Sequence, residues 1–282
     1  MLTAQIRPFR FALVAFAPVR LSVLNCKKTS ADRSGSLFAI IDERVSPICE
    51  ARLKSRGFTV IKLPRDERLG AAVASHTDML LFRDGNTVIA SKEYINANEN
   101  IKSALLSAFP SLDLRLSDEA LSKKYPSDAI FNAKIVGKKL YAKSDSVSKE
   151  IVRYAKEKGY GTISLNQGYP ACTTLFADDG FAITADEGMR RALTLSGIEV
   201  LFIENSEKIK LPPYKYGFIG GTAGVFKNTV YFIGNLDAHP NAKEIKKALT
   251  KRGFLSVSLD ESADSLFDLG GIIFTESGNS DR

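Results

Sequence analysis

The sequence predicts an α/β fold, a five-bladed, pseudo-symmetric α/β propeller of strand-strand-helix-strand units closed by the N- and C-terminal segments. Three observations predict it: a phrase that recurs five times, a helix-to-strand crossover after the copies, and complementary fragments of one unit at the two ends of the chain. The clearest copy is residues 76–91, an apolar strand, a turn at Asp84, Gly85 and Asn86, and a second apolar strand running back. Aligned on Asp78, Asp128, Cys172, Tyr216 and Asp268, the copies stand 50, 44, 44 and 52 residues apart. A repeat of that length is settled before any other fold reading, because one unit cannot bury its apolar face alone.

The elements follow in order. Residues 1–36 lie outside the repeat. The apolar run Phe11–Val19 behind Arg7 and Arg10 reads as a weak targeting segment or as a mis-called start. From Leu37 the pattern is regular, and 37–282 reads as a single domain. Leu37–Ile41 is a buried-type strand. Val45, Ile48, Cys49 and Leu53 then show the helical period, Gly57 stops the helix, and Phe58–Leu63 alternates as a strand. The same ending returns at Gly159–Leu165, Gly197–Ile203 and Gly253–Leu259, while Phe109 and Pro110 replace the glycine before Leu112–Leu116. Helices are expected over 94–109, 146–158, 185–196 and 240–252, with Ser146 and Asp186 as N-terminal caps. Each helix is the crossover that parallel pairing requires. The last copy, from Asp268, supplies an inner strand and little else, whereas the segment from Leu37 has everything except one. Joined, they make a fifth unit and leave no open edge.

Composition limits the function classes. The chain has 282 residues, 44% hydrophobic and 25% charged, and no apolar run reaches the roughly 18 residues a membrane-spanning helix needs. The expectation is a cytoplasmic protein that binds no membrane. Of the net charge of +7, residues 1–36 hold six cations against Asp32, or +5, which leaves +2 for the repeat. A basic stripe for nucleic acid is therefore not indicated. Three cysteines (Cys26, Cys49, Cys172) and two histidines lack metal-ligand spacing, so neither metal nor cofactor is expected.

Certain phrases carry a resemblance. They are His76–Met79, Tyr125–Asp128 with Asn132 and Ala133, Gly168–Cys172, Ile183–Gly188 and Tyr216–Gly221. With the fivefold repeat, the chain resembles the pentein, or guanidine-modifying-enzyme, superfamily of arginine and agmatine deiminases, dimethylargininases and amidinotransferases. It is most similar to an uncharacterised bacterial family of that fold. The resemblance implies a cysteine nucleophile, a histidine in a His-x-Asp phrase and carboxylates that grip a guanidinium. His76, Thr77 and Asp78 match the His-x-Asp phrase, and Cys172 is the candidate nucleophile. The order differs from active relatives, where carboxylates precede the histidine and the cysteine lies near the chain's end.

The residues support a site without the family. If all five inner strands start at one rim, then His76, Asp78, Asp128, Cys172, Tyr216 and Asp268 converge there. A histidine, a cysteine and three carboxylates in one mouth suit nucleophilic chemistry on a cation. Facing a protonated His76 would lower the Cys172 pKa, and crowding by aspartates would raise it. The bland alternatives are aspartates that cap loop amides and a cysteine that only packs. Two functions follow: a cysteine-dependent hydrolase or amidino-group transferase with a small guanidino or other cationic substrate, or an inactive ring that binds a metabolite or protein partner. Gly220–Gly224 looks like a phosphate loop, but a strand follows it instead of a helix, so turn glycines are expected. His239 reads as part of a helix entry with Asp237 as its cap. Leu211–Tyr216 reads as a rigid loop lining the mouth, with Lys215 free to meet a carboxylate.

Overall fold

Five sheets of three strands each are built from the repeated phrase in the computed structural model, which describes residues 35–109 and 111–277. The expectations for residues 1–34 and for Pro110 lie outside the described residues. The first unit contains β1 (Leu37–Asp42), α1 (Pro47–Ser55) and β2 (Phe58–Leu63). The second contains α2 (Thr77–Leu80), β3 (Leu81–Asp84), β4 (Thr87–Ser91), α3 (Lys92–Ala97), α4 (Glu99–Ala108) and β5 (Asp113–Ser117). The third contains β6 (Lys134–Val136), β7 (Lys139–Ala142), α5 (Lys149–Glu157) and β8 (Gly161–Ser164). The fourth contains α6 (Pro170–Thr173), β9 (Thr174–Asp178), β10 (Phe181–Thr184), α7 (Glu187–Leu195) and β11 (Glu199–Phe202). After β12 (Ile209–Lys210) come a 3-10 turn at Gly220–Thr222, β13 (Ala223–Phe226), β14 (Thr229–Phe232), α8 (Ala242–Lys251) and β15 (Leu255–Ser258). The last strands are β16 (Leu266–Phe267) and β17 (Ile273–Glu276).

The sheets run β3-β4-β5, β6-β7-β8, β9-β10-β11, β13-β14-β15 and β17-β1-β2. In each, the middle strand pairs antiparallel with the inner strand and parallel with the outer one, with the helix between them as crossover. The two ends meet as expected: Leu37 lies opposite Glu276 and Ile40 opposite Ile273. An aromatic cluster backs that join, with the Phe58 ring 5.2 Å from Phe226, 5.7 Å from Tyr231 and 4.8 Å from Phe274. Among the described residues no sheet closes on itself. A small pair, β12 with β16, forms a sixth sheet that the repeat did not announce.

Local chemistry explains most boundaries. Gly57, Gly159, Gly197 and Gly253 have φ of 89°, 70°, 86° and 80°, the left-handed value a helix stop needs and a side chain resists. Asp186 caps α7 by accepting from the Met189 amide at 2.7 Å. Ser148, not Ser146, caps α5 by accepting from the Glu150 amide. The helix expected over 94–109 is broken in two at Asn98, whose side chain folds back to the Tyr94 carbonyl. His239 is buried and its Nδ1 accepts from the Asn241 amide, while Asp237 pairs with Lys246, so Asp237 does not cap α8.

Candidate functional site

The anchors used to align the repeat do not begin the inner strands. They sit in the short segments before them, Asp78 in α2, Cys172 in α6 two residues before β9, and Asp268 five residues before β17. Those segments are where the five units crowd together. His76, Asp128, Cys172, Tyr216 and Asp268 line one cavity of about 510 Å³. Val73, Met79, Leu211 and Phe218 give it apolar walls, and Tyr214 and Lys215 stand in its lining from the loop expected there.

Asp78 is not part of that lining but stands against the thiol that is. Its Oδ2 accepts a hydrogen bond from Cys172 Sγ at 2.7 Å. Its Oδ1 lies 4.0 Å from His76 Nδ1, and Asp268 Oδ1 is equally far from the same nitrogen. Asp78, expected to grip a cation alongside Asp128 and Asp268, has the Cys172 thiol as its hydrogen-bond partner. His76 is fully buried, yet neither ring nitrogen has a hydrogen-bond partner. Its chain neighbours hold it instead. Ser75 Oγ donates to Asp42 Oδ1 at 2.8 Å, and Thr77 Oγ1 donates to the Gly270 carbonyl. Asp42 in turn accepts the forked guanidinium of Arg44, so the end of β1 fixes the approach to His76.

Asn132 was not singled out as a site residue, although it stands in one of the quoted phrases. Its Nδ2 donates to Cys172 Sγ at 3.2 Å while its Oδ1 accepts from the Ala171 amide at 2.9 Å. An amide within the apolar run Ala129–Ala133 was the available signal, because a buried polar side chain needs partners. Tyr169 was also missed; its hydroxyl donates to Asp128 Oδ2 at 2.9 Å. The glycines at 220 and 221 have a steric reason. A Cβ on Gly221 would come within 1.8 Å of Asp268 Oδ1, and one on Gly220 within 2.6 Å of the Cys172 carbonyl. They are packing and turn glycines, as the following strand β13 implied.

Burial governs the electrostatics. It pushes Asp78 up to about 8 and Asp268 to about 7, although the amides of Phe218 and Gly270 pull Asp268 back. It pushes His76 down to about 4. The Cys172 thiol is raised well above its usual value by burial and then by Asp78 and Asp268. Of the two opposing influences foreseen for Cys172, crowding by carboxylates prevails, since a neutral His76 offers no positive charge. Asp128 is also raised, mainly by burial. Oδ1 of Asp78 and Oδ1 of Asp128 are buried without a hydrogen-bond partner. No lysine or arginine among the described residues reaches Asp78, Asp128 or Asp268 within 4.0 Å. Lys215, the cation in the lining, pairs with Glu207 and not with these carboxylates. A metal could share His76, Cys172 and Asp268, which each place one donor atom within 4.8 Å of the others, a mixed N, S and O set that spacing along the chain did not reveal.

Comparison with known proteins agrees with the topology. The pattern of a family described as "Family of unknown function (DUF6873)" matches residues 40–273. The chain belongs to this family. No curated protein sequence matches it. Among solved structures, the chain is similar to dimethylarginine dimethylaminohydrolase from Pseudomonas aeruginosa, a cysteine-to-serine mutant complexed with citrulline. The identity is 11%, the TM-score 0.51, and the match covers 83% of this chain and 96% of that one. It is also similar to SxtG, an amidinotransferase from Microseira wollei in the saxitoxin biosynthetic pathway, at 11% identity and TM-score 0.53, covering 90% and 98%. The family member described here therefore has the pentein fold, a mixed α/β architecture of small sheets. No helix among its described residues is long and apolar enough to cross a membrane.

Proposed function

We propose that this protein binds the guanidinium group of a small molecule in the 510 Å³ cavity and acts on it through Cys172, as a hydrolase or an amidino-group transferase. In this reading the five three-stranded sheets are the blades of a five-bladed propeller joined by β1 and β17, and the site lies where they converge. The observation that carries it is the unneutralised carboxylate group around the thiol: Asp78 on Cys172 Sγ, with Asp128 and Asp268 in the same pocket and no side-chain cation on any of them. A guanidinium supplies planar, charged N–H donors of the kind such carboxylates pair with best. Its arrival brings the positive charge that lets Asp78 and Asp268 ionise.

The chemistry then follows the contacts. The Sγ proton passes to Asp78 Oδ2, and the thiolate forms a bond to the guanidino carbon. His76 relays a proton to the departing nitrogen as the C–N bond breaks, which leaves an amidino group on sulfur and a neutral amine. Water attacking that carbon releases a ureido product and restores the thiol. An amine attacking in its place completes a transfer. Asn132 holds the sulfur in line, and Tyr169 orients Asp128. Similar solved structures include a hydrolase of dimethylarginine and an amidinotransferase, which supports the reaction class.

A second reading is a ring that binds a cationic metabolite or a partner without chemistry. The upward push on the Cys172 thiol favours it, because the thiol form is a poor nucleophile. Turnover separates the two. The protein is incubated with arginine, agmatine and methylguanidine, and ureido product, released amine and amidino transfer to glycine are measured. Product with wild type and none with Cys172→Ser is expected. Binding of a guanidino compound with no product by any of these readouts would establish the silent ring.

A further inference from the structure

The cavity of about 510 Å³ at Cys172 is larger than a guanidinium alone needs, and its carboxylates take up only part of the lining. Sites of this size hold whole small molecules, so the remaining wall selects what the guanidinium is attached to. That wall is apolar and aromatic. Val73, Tyr216 and Phe218 are half-buried and line the cavity together with buried Leu211 and exposed Tyr214. The wall is also tied to the carboxylate end. The Phe218 amide donates to Asp268 Oδ2 at 2.8 Å, and a Cβ on Gly217, between Tyr216 and Phe218, would lie 2.5 Å from that of Asp268.

An amino-acid head group would need one partner for its carboxylate and another for its ammonium, because a charge taken from water unpaired is costly. Among the described residues the lining holds one lysine and no arginine. That lysine, Lys215, is 75% exposed, and its Nζ stands 3.7 Å from a carboxylate oxygen of Glu207, itself 67% exposed. An ion pair so open to water changes affinity by up to about fivefold. Each methylene buried on the apolar wall is worth about fourfold, so a chain of three outweighs what the lysine can offer.

We propose that the pocket selects guanidino compounds whose other substituent is an uncharged apolar chain or ring, packed on Val73, Leu211, Tyr214, Tyr216 and Phe218, over guanidino amino acids. This selectivity rests on the guanidinium reading of the pocket and names the substrate class for it.

The test is calorimetric titration of the full chain with methylguanidinium, butylguanidinium and L-arginine at one pH and ionic strength. Butylguanidinium should bind more tightly than either of the others by about tenfold or more. Phe218→Ala should cut its advantage over methylguanidinium by about threefold or more and leave methylguanidinium affinity unchanged. Lys215→Gln should alter arginine affinity by less than about fivefold. Methylguanidinium binding with no gain from the butyl chain overturns the proposal, as does arginine binding as tightly as butylguanidinium. A larger loss of arginine affinity in Lys215→Gln overturns it too, as does an unaltered butyl advantage in Phe218→Ala. Binding by none of the three ligands is a different failure: it removes the guanidinium reading itself, and the substrate class with it. If Phe218→Ala does not fold, Tyr214→Ala, at an exposed side chain, decides by the same outcomes.

Discussion

Replacing Asp78 by asparagine should stabilise the folded protein, and by more as the pH rises. The side chain is 12% exposed and its pKa is lifted from 3.8 to about 8 by burial. The sign follows from proton linkage. The unfolded chain releases the Asp78 proton near 3.8, whereas the folded chain keeps it until about 8, so the unfolded state gains an ionisation that the folded state cannot share. Stability is complete below 3.8 and is lost across the interval up to about 8. At about 1.4 kcal/mol per pH unit, the loss at pH 7 approaches 4 kcal/mol as an order of magnitude. Asparagine has no proton to release, so the variant escapes this loss, less whatever its amide costs against Cys172 Sγ. His76, lowered to about 4, acts in the opposite sense and weakens the fold as pH falls from 6.5 towards 4. It does so in both proteins and largely cancels in their difference. Urea unfolding of both at pH 4.5, 5.5, 6.5 and 7.5 measures that difference. An advantage for asparagine that grows by about 1.4 kcal/mol per unit below the folded pKa confirms the raised carboxyl. A flat difference, or a variant weaker than wild type at pH 7.5, would show that Asp78 is already ionised in the fold and would remove the argument that the pocket awaits a cation.

Further predictions concern the same residues and the join between the chain's ends. Binding of methylguanidinium at pH 6.5 should release protons as Asp78 and Asp268 ionise, seen as a dependence of the binding heat on the buffer's ionisation enthalpy; no dependence would contradict the raised carboxyls. The free Cys172 thiol should react with iodoacetamide with an apparent pKa above the ordinary 9.0, and saturating methylguanidinium should lower that midpoint. Cys49, also buried, is excluded by following the modified peptide. Gly221→Ala should abolish guanidinium binding, because its methyl occupies the place of Asp268 Oδ1; retained binding in a folded variant would show that Asp268 does not hold the ligand. Phe58→Ala should cost about 3–5 kcal/mol in denaturant unfolding, since the buried ring, on β2, packs on Phe226 of β13 and Phe274 of β17, and a loss under 1 kcal/mol would mean that the aromatic cluster does not secure the join.

The repeat, the crossovers and the meeting of the ends were legible because each rests on a local pattern. Alternation marks a strand, a 3.6-residue period marks a helix, and a glycine in the left-handed region marks a stop. Where local signals competed, the reading slipped. Ser146 reads as the cap of α5, but the helix begins at Lys149 and Ser148 caps it, and Asn98 split the helix expected over 94–109. The anchors Asp78, Cys172 and Asp268 read as strand starts, yet Asp78 and Cys172 lie in the short helices α2 and α6, and Asp268 lies ahead of β17.

Chain order alone determined that five like units form, that the termini complete one of them, and that the rare reactive side chains fall at equivalent places in the repeat. Only the tertiary structure decided how those side chains are shared out: Asp78 against the thiol, Asn132 as its second partner, Tyr169 on Asp128, and His76 held through its neighbours. The reason is physical. Periodicity fixes which face of an element is buried, but a hydrogen bond between residues 94 apart in sequence, as between Asp78 and Cys172, depends on how whole sheets pack, and the burial that shifts their protonation exists only once they do.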